Sequence, residues 1–230
     1  MSMRWHNLLF MHWPLPPQVL RPHIPAPLRL DTLDGAAWIG IVPFQMRGVT
    51  ARLLPSLPGL SAFCELNVRT YVTIDGKPGV WFFSLDAANA LAVRGARLAF
   101  HLPYYDAHMR CVTEGRIVRY SSARTHRLVP PADFTASYRP TGPPAFARPD
   151  TLEDWLTARY ALYAASRHGR VWRGDIDHAP WPLQPAEAEL EYNTMVAPLR
   201  LALPDVPPLL HFARRLDVVA WNPEVVRAPV

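Results

Sequence analysis

Residues 63–105 read FCELNVRTYVTIDGKPGVWFFSLDAANALAVRGARLAFHLPYY. The first part alternates without a break. Leu66, Val68, Thr70, Val72 and Ile74 fall on one side, and Glu65, Asn67, Arg69, Tyr71 and Thr73 on the other. Such a period of two marks a β-strand. Asp75-Gly76 is a hairpin turn signal, and Val80-Trp81-Phe82-Phe83-Ser84-Leu85 reads as the returning strand. An alanine-rich helical piece follows, and the stretch closes on Pro103-Tyr104-Tyr105.

The polar side of the first strand carries the best candidates for chemistry. Alternate residues on a strand face sit about 6.5 Å apart. Glu65, Asn67 and Arg69 therefore form a row with a carboxyl at one end and a guanidinium at the other. Two readings stay open. Facing solvent, the row is an ordinary hydrated surface. Facing the inside of a barrel, it is a pocket wall. Arg69 could then hold a carboxylate in bidentate fashion, and Glu65 could move a proton with a pKa raised by burial.

Outward from this stretch the chain is strand-rich. Trp5 to Trp13 reads as a first strand, and Pro16-Pro17 starts a short helix to Pro22. Leu28 to Leu33, the Asp34-Gly35 turn and Ala36 to Met46 predict a hairpin, and residues 48–62 a loop. After the opening stretch, Met109 to Val112 and Arg116 to Tyr120 flank a Glu114-Gly115 turn. A strand is expected from Arg127 to Tyr138, and a helix opening at Asp150 with Glu153 completing a capping box. Strands follow at Tyr160 to Ala164, Val171 to Asp177, Glu187 to Asn193 and Leu216 to Trp221. No repeat or domain boundary interrupts them, so residues 1–230 are read as one domain, a β-rich barrel or sandwich with short helices.

Composition narrows the function. Half the residues are apolar, which permits a sizeable core, and 26 prolines favour short elements over long helices. The net charge of +5 comes almost wholly from arginine, since Lys77 is the single lysine. The arginines are spread along the chain, whereas a nucleic-acid surface clusters them. A codon bias toward Arg, Ala and Pro is the plainer account, and an anionic small ligand fits the charge equally well. Cys64 and Cys111 lie in apolar strands and read as free thiols in a reducing compartment. The N-terminus lacks a signal-peptide pattern and no apolar run reaches a membrane helix, so a soluble cytoplasmic protein is expected.

No phosphate loop, nucleophile elbow, HExxH or CxxC motif occurs, and the nine histidines show no metal-ligand spacing. No cofactor and no metal are expected. His6 is a candidate ligand contact, with a satisfied, half-buried imidazole as the alternative. Trp81 and the Tyr104-Tyr105 pair are candidate pocket walls, with core packing as theirs.

With these segments laid out, the chain resembles the YqjF-like family, uncharacterised bacterial proteins of the acetoacetate-decarboxylase-like superfamily. The resemblance rests on HWPLPPQVLRPHIPAPLRLD, DGAAWIGIVPFQMRGV, ELNVRTYV, KPGVWFFSLDAANALAVRGAR followed by LPYY, and HAPWPLQPAEAELEYNTM. It implies a β-rich α+β fold: a closed, cone-like antiparallel β-barrel around a cavity, with outer strands and a few short helices. That turns the Glu65 row inward. The decarboxylase itself forms a Schiff base through the first lysine of a Pro-Lys-Lys sequence. Here the matching residues are Pro103-Tyr104-Tyr105, so Tyr104 stands where the lysine would be. A pocket glutamate of the decarboxylase matches Glu65, a second acidic position of it falls near Gly40 and is lost, and its active-site arginine falls near His6.

The resemblance and the residues together predict a pocket for a small, anionic organic molecule. Glu65 and Tyr104 are the expected catalytic pair, and His6, Asn67, Arg69, Trp81 and Tyr105 the expected substrate contacts. Acid–base chemistry without a Schiff base is one expectation. A binding protein that has lost the decarboxylase chemistry is another, and a structural or partner-binding protein a third. No nucleic-acid or membrane partner is expected, and a homo-oligomer is left open.

Overall fold

The computed structural model describes residues 1–50, 62–90, 93–94, 101–166 and 169–227. Thirteen strands and two short α-helices are defined among them. In chain order the strands are β1 (Ser2–Leu15), β2 (Arg29–Leu30), β3 (Ala37–Thr50), β4 (Ala62–Ile74), β5 (Lys77–Ala87), β6 (Tyr104–Glu114) and β7 (Ile117–Arg124). They continue with β8 (Asp133–Pro140), β9 (Ala161–Ala165), β10 (Val171–His178), β11 (Gln184–Asn193), β12 (Leu209–Ala220) and β13 (Glu224–Arg227). The helices are α1 (Pro17–Leu20) and α2 (Leu152–Thr157).

Strand pairing closes two circuits. One runs β5-β6-β7-β8-β11-β12-β1-β3-β4 and returns to β5, a nine-strand barrel. The other runs β5-β9-β10-β12-β1-β3-β4 and returns to β5. The two share β12, β1, β3, β4 and β5 as a common wall. Most pairs are antiparallel, but β5 pairs in parallel with both β6 and β9. The barrel is therefore mixed, where an all-antiparallel one was expected. A parallel pair needs a crossover connection instead of a hairpin, and the segment between β5 and β6 serves as one.

The common wall explains the alternation that opened the sequence reading. Leu66 and Val68 of β4 join Leu9, Met11, Ile39 and Ile41 in a core completed by Tyr120, Phe134, Tyr138 and Phe212. This core fills the nine-strand barrel. On the other side of the wall, Met3, Leu8, Phe10, Val42, Phe44 and Met46 form a second cluster with Trp181 and Val218. The β4–β5 hairpin turns at Asp75 and Gly76, both with positive φ (50° and 75°), as the Asp-Gly signal required.

Several boundaries differ from expectation. The predicted 28–46 hairpin does not form as such. Leu33 and Ala36 make only an isolated bridge around Asp34-Gly35, and Arg29–Leu30 pairs with β4. β4 offers β2 a free edge beyond the reach of β3. The strand expected from Arg127 starts at Asp133, after Leu128 at φ 66° and the donor-less Pro130 and Pro131. α2 is capped by Thr151, whose hydroxyl accepts from the Asp154 amide, because Asp150 takes a left-handed φ of 64°. β1 and β12 run well beyond their predicted lengths. The 48–62 loop and the alanine-rich helix lie mostly outside the described residues. Cys64 and Cys111 are free, half-buried thiols. No described helix is long and apolar enough to cross a membrane.

Candidate functional site

The second circuit encloses a cavity of about 340 Å³. β1 and β3 face it with apolar side chains alone: Met3, Trp5, Leu8, Val42, Phe44 and Met46 among them. β4 faces it with Glu65, Asn67 and Arg69, and β5 with Val80, Phe82 and Leu85. Leu102 and Tyr104 close one end. Thr157, Arg159, His178 and Trp181 bring further polar groups.

Glu65 is buried at 2% exposure. The Tyr104 hydroxyl donates to Glu65 Oε2 over 3.0 Å. Burial pushes the Glu65 pKa up to about 8, the tyrosine bond opposes the rise, and the nearby Asp86 charge adds to it. Burial and the neighbouring carboxylate also hold Tyr104 well above the usual phenol range. At neutral pH this pair is therefore a protonated acid beside a neutral phenol. The Glu65 backbone is fixed from behind, where the Tyr120 hydroxyl lies 2.8 Å from the Glu65 carbonyl and 3.1 Å from that of Phe44. Asp86, on the far side of β5, is held by Arg124 through two bonds of 2.6 and 2.7 Å.

Arg69 has no carboxylate partner among the described residues, and its buried Nε lacks a hydrogen bond. Its guanidinium lies 5.1 Å from the Phe10 ring and 5.7 Å from the Tyr71 ring. Arg159 also covers Tyr71, at 5.0 Å, but its charge is met by Asp31 at 2.7 Å. Among the described residues, one uncompensated positive charge therefore remains at this end of the cavity. His12 adds none, because burial and Arg69 keep its imidazole neutral. Its Nε2 shares a 2.6 Å hydrogen bond with the Tyr71 hydroxyl. Gly40 makes room for that ring, since a Cβ there would stand 3.0 Å from His12 Cδ2. Two more buried polar atoms of the wall, Asn67 Oδ1 and Trp5 Nε1, have no partner among the described residues.

The structure thus gathers Glu65, Asn67, Arg69 and Tyr104 around one cavity and leaves three expected contacts outside it. His6 is turned away by a bulge: Asn7 takes φ 50°, and the β1–β3 register shifts by one between His6 and Met11. Trp5 and Leu8 then both face the cavity, while His6 sits beside Arg4, Arg47 and Arg215. Trp81 alternates with Val80 and Phe82 and packs on the opposite side, against the cluster of Ile24, Leu28 and Tyr163. Tyr105 alternates with Tyr104, and its ring lies 4.6 Å from the Arg124 guanidinium.

Arg159 and His178 were not among the residues expected at the site. The i, i+4 spacing of Trp155 and Arg159 was the available signal for Arg159, since the guanidinium stacks on that indole at 4.3 Å. His178 ends β10 and lines the cavity, with Nδ1 2.8 Å from the Ala179 carbonyl.

A closed β-barrel with outer strands and a few short helices is the fold of acetoacetate-decarboxylase-like structures. Residues 2–217 match the family DUF2071, described as an uncharacterized conserved protein, and the chain belongs to that family. It is 47% identical over 221 residues to the uncharacterized protein YqjF of Bacillus subtilis (strain 168), covering 96% of this chain and 90% of that protein. Among solved structures, the enduracididine biosynthesis enzyme MppR, complexed with the condensation product of pyruvate and imidazole 4-carboxaldehyde, superposes with a TM-score of 0.67. That match covers 97% of this chain and 88% of MppR at 13% identity. An acetoacetate decarboxylase superposes with a TM-score of 0.65 at 15% identity, covering 98% of this chain and 89% of the other. At these identities the structural likeness establishes the fold.

Proposed function

We propose that the chain binds a small, anionic carbonyl compound in this cavity and moves a proton on it without forming a Schiff base. The observation that carries the reading is the buried Glu65–Tyr104 pair in one cavity with an uncompensated Arg69. Arg69 holds the anion. Glu65, protonated at neutral pH, gives its proton to the carbonyl oxygen or a neighbouring carbon, and the resulting carboxylate takes one back. Tyr104, which donates to Glu65 Oε2, steadies the carboxylate that the transfer leaves behind. Such a set suits lyase, hydratase or isomerase chemistry. The pyruvate-derived product bound by MppR supports a small carboxylate as the guest of this fold.

An imine route has no amine side chain to use. Lys77 lies at the β4–β5 turn, where its Nζ is 2.8 Å from Asp175, and it is not among the residues lining the cavity. A second reading, a binding protein without turnover, draws on the tyrosine that stands in the lysine position.

The test is deuterium uptake beside the carbonyl of oxo acids, followed by NMR. Glu65→Gln should lower uptake by about 10²–10⁴-fold and leave the acid's Kd nearly unchanged. Uptake that survives the substitution removes Glu65 from the role. Binding without uptake in the unmodified protein selects the binding reading. Borohydride added with a ketone should leave the protein's mass unchanged, and a reduced adduct would contradict the proposal.

A further inference from the structure

Resting on that reading, we infer that the guest is an elongated oxo acid, its carboxylate and its carbonyl separated by about four or five methylenes. Glu65 and Arg69 share a face of β4 but lie four residues apart, roughly 13 Å between Cα atoms at strand spacing. No ion pair joins them, and Arg69 reaches sideways across Gly40 to lie between the Phe10 and Tyr71 rings. Its charge acts on His12, Tyr71 and His178, whereas the charge acting on Glu65 is that of Asp86. The acid–phenol pair and the anion site are thus two ends of one row.

A guest that uses both must span the gap. A hydrogen bond of about 2.9 Å at each end leaves roughly 7 Å of ligand between them. A 2-oxo or 3-oxo acid is too short: it reaches the proton-transfer pair or the guanidinium, but not both. The wall beside the row fits a chain. Trp5, Val42, Phe44 and Met46 present it with apolar surface, and Phe82 joins them from β5. The volume agrees, since about 340 Å³ is roughly twice that of a cavity of about 150 Å³ that takes up benzene. That suits a guest of about ten non-hydrogen atoms. Asn67 stands midway along the row, and its unpartnered carbonyl oxygen would accept from a hydroxyl or amide N–H on the spacer.

The homologous methyl-ketone acids test this directly, from pyruvate and acetoacetate through levulinate to 5-oxohexanoate, 6-oxoheptanoate and 7-oxooctanoate. Kd by calorimetry and deuterium uptake beside the ketone are read for each. Kd should fall about threefold to fourfold per methylene, and Glu65-dependent uptake should appear only in the 6-oxo and 7-oxo members. Arg69→Gln should weaken the long acids at least tenfold and leave the corresponding 2-alkanones unaffected. Val42→Phe, which narrows the apolar wall, should cost the long acids more than pyruvate. Best binding and uptake with pyruvate or acetoacetate, lost in Arg69→Gln, would overturn the elongated guest while keeping the anionic carbonyl reading. Binding of 2-alkanones as tight as that of the acids would overturn the anionic reading itself.

Discussion

On its even-numbered face β4 sends Leu66 and Val68 into a core where neither retains any exposure. On its odd-numbered face the same strand sends Glu65, Asn67 and Arg69 into a cavity of about 340 Å³. The two sides have the same backbone, register and neighbours, β3 and β5. They differ in what closes them. The nine-strand side is closed by β7 and β8, whose Tyr120, Phe134 and Tyr138 fill the space with rings. The seven-strand side is closed by the short β9 and β10, whose cavity-facing residues include Ala161, Leu162 and Ile176. One wall therefore serves as scaffold and as site. Aromatic filling on one side makes it rigid enough to hold buried, unpaired polar groups on the other.

The largest expected effect comes from testing that asymmetry with one substitution type. Leu66→Ala opens a void in a close-packed core and should cost about 3–5 kcal/mol. Leu85→Ala removes the same atoms from the cavity wall, where one side already borders open space. Only the transfer term applies there, about 2 kcal/mol. Urea midpoints at constant m-value read both. Equal losses would mean that the second circuit is packed as tightly as the first.

The same asymmetry decides what could be read in advance. The alternation of residues 65–74 gave the strand and its two faces, because one face had to be apolar. It could not give the direction of the polar face, because a hydrated surface and a cavity wall have the same pattern. Only the likeness to a barrel family turned it inward. Tyr104 and Tyr105 are adjacent and chemically alike, and strand parity alone sends one to Glu65 and the other over Arg124. His6 failed for a related reason. A simple alternation from Trp5 to Trp13 has no place for the bulge at Asn7, a residue type that tolerates left-handed φ but does not announce it. Arg159 depends on α2 docking over Tyr71, a contact between segments far apart in sequence.

The polar face offers a pH signature that the apolar face cannot. Glu65 has a folded-state pKa of about 8 against an ordinary value of 4.5. Between these pH values the folded protein holds a proton that the unfolded chain has released. Stability should therefore fall as pH rises from 4.5 toward 8 and level off above. Glu65→Gln has no such proton and should flatten this part of the profile. At about 1.4 kcal/mol per pH unit, variant and parent should diverge by about 2 kcal/mol between pH 6 and 7.5. Parallel profiles would mean that Glu65 is already ionised in the folded protein.

The smallest effect is the most specific to the site. The Tyr104 hydroxyl donates to Glu65 Oε2 and favours the carboxylate, so it holds the Glu65 pKa below the level that burial alone would set. Tyr104→Phe removes that donor and leaves the ring. The Glu65 midpoint should then move up from about 8, by no more than about one pH unit for a bond of ~1.5 kcal/mol. A carboxyl-carbon NMR titration of Glu65 reads the shift. A downward move would mean that the phenol accepts from a protonated Glu65, so that the acid's proton would point at Tyr104 and not at a guest. An upward move leaves that proton free on the other carboxyl oxygen, where the chemistry needs it. The direction of a shift of one pH unit or less thus decides whether the pair is a structural hydrogen bond or a proton source.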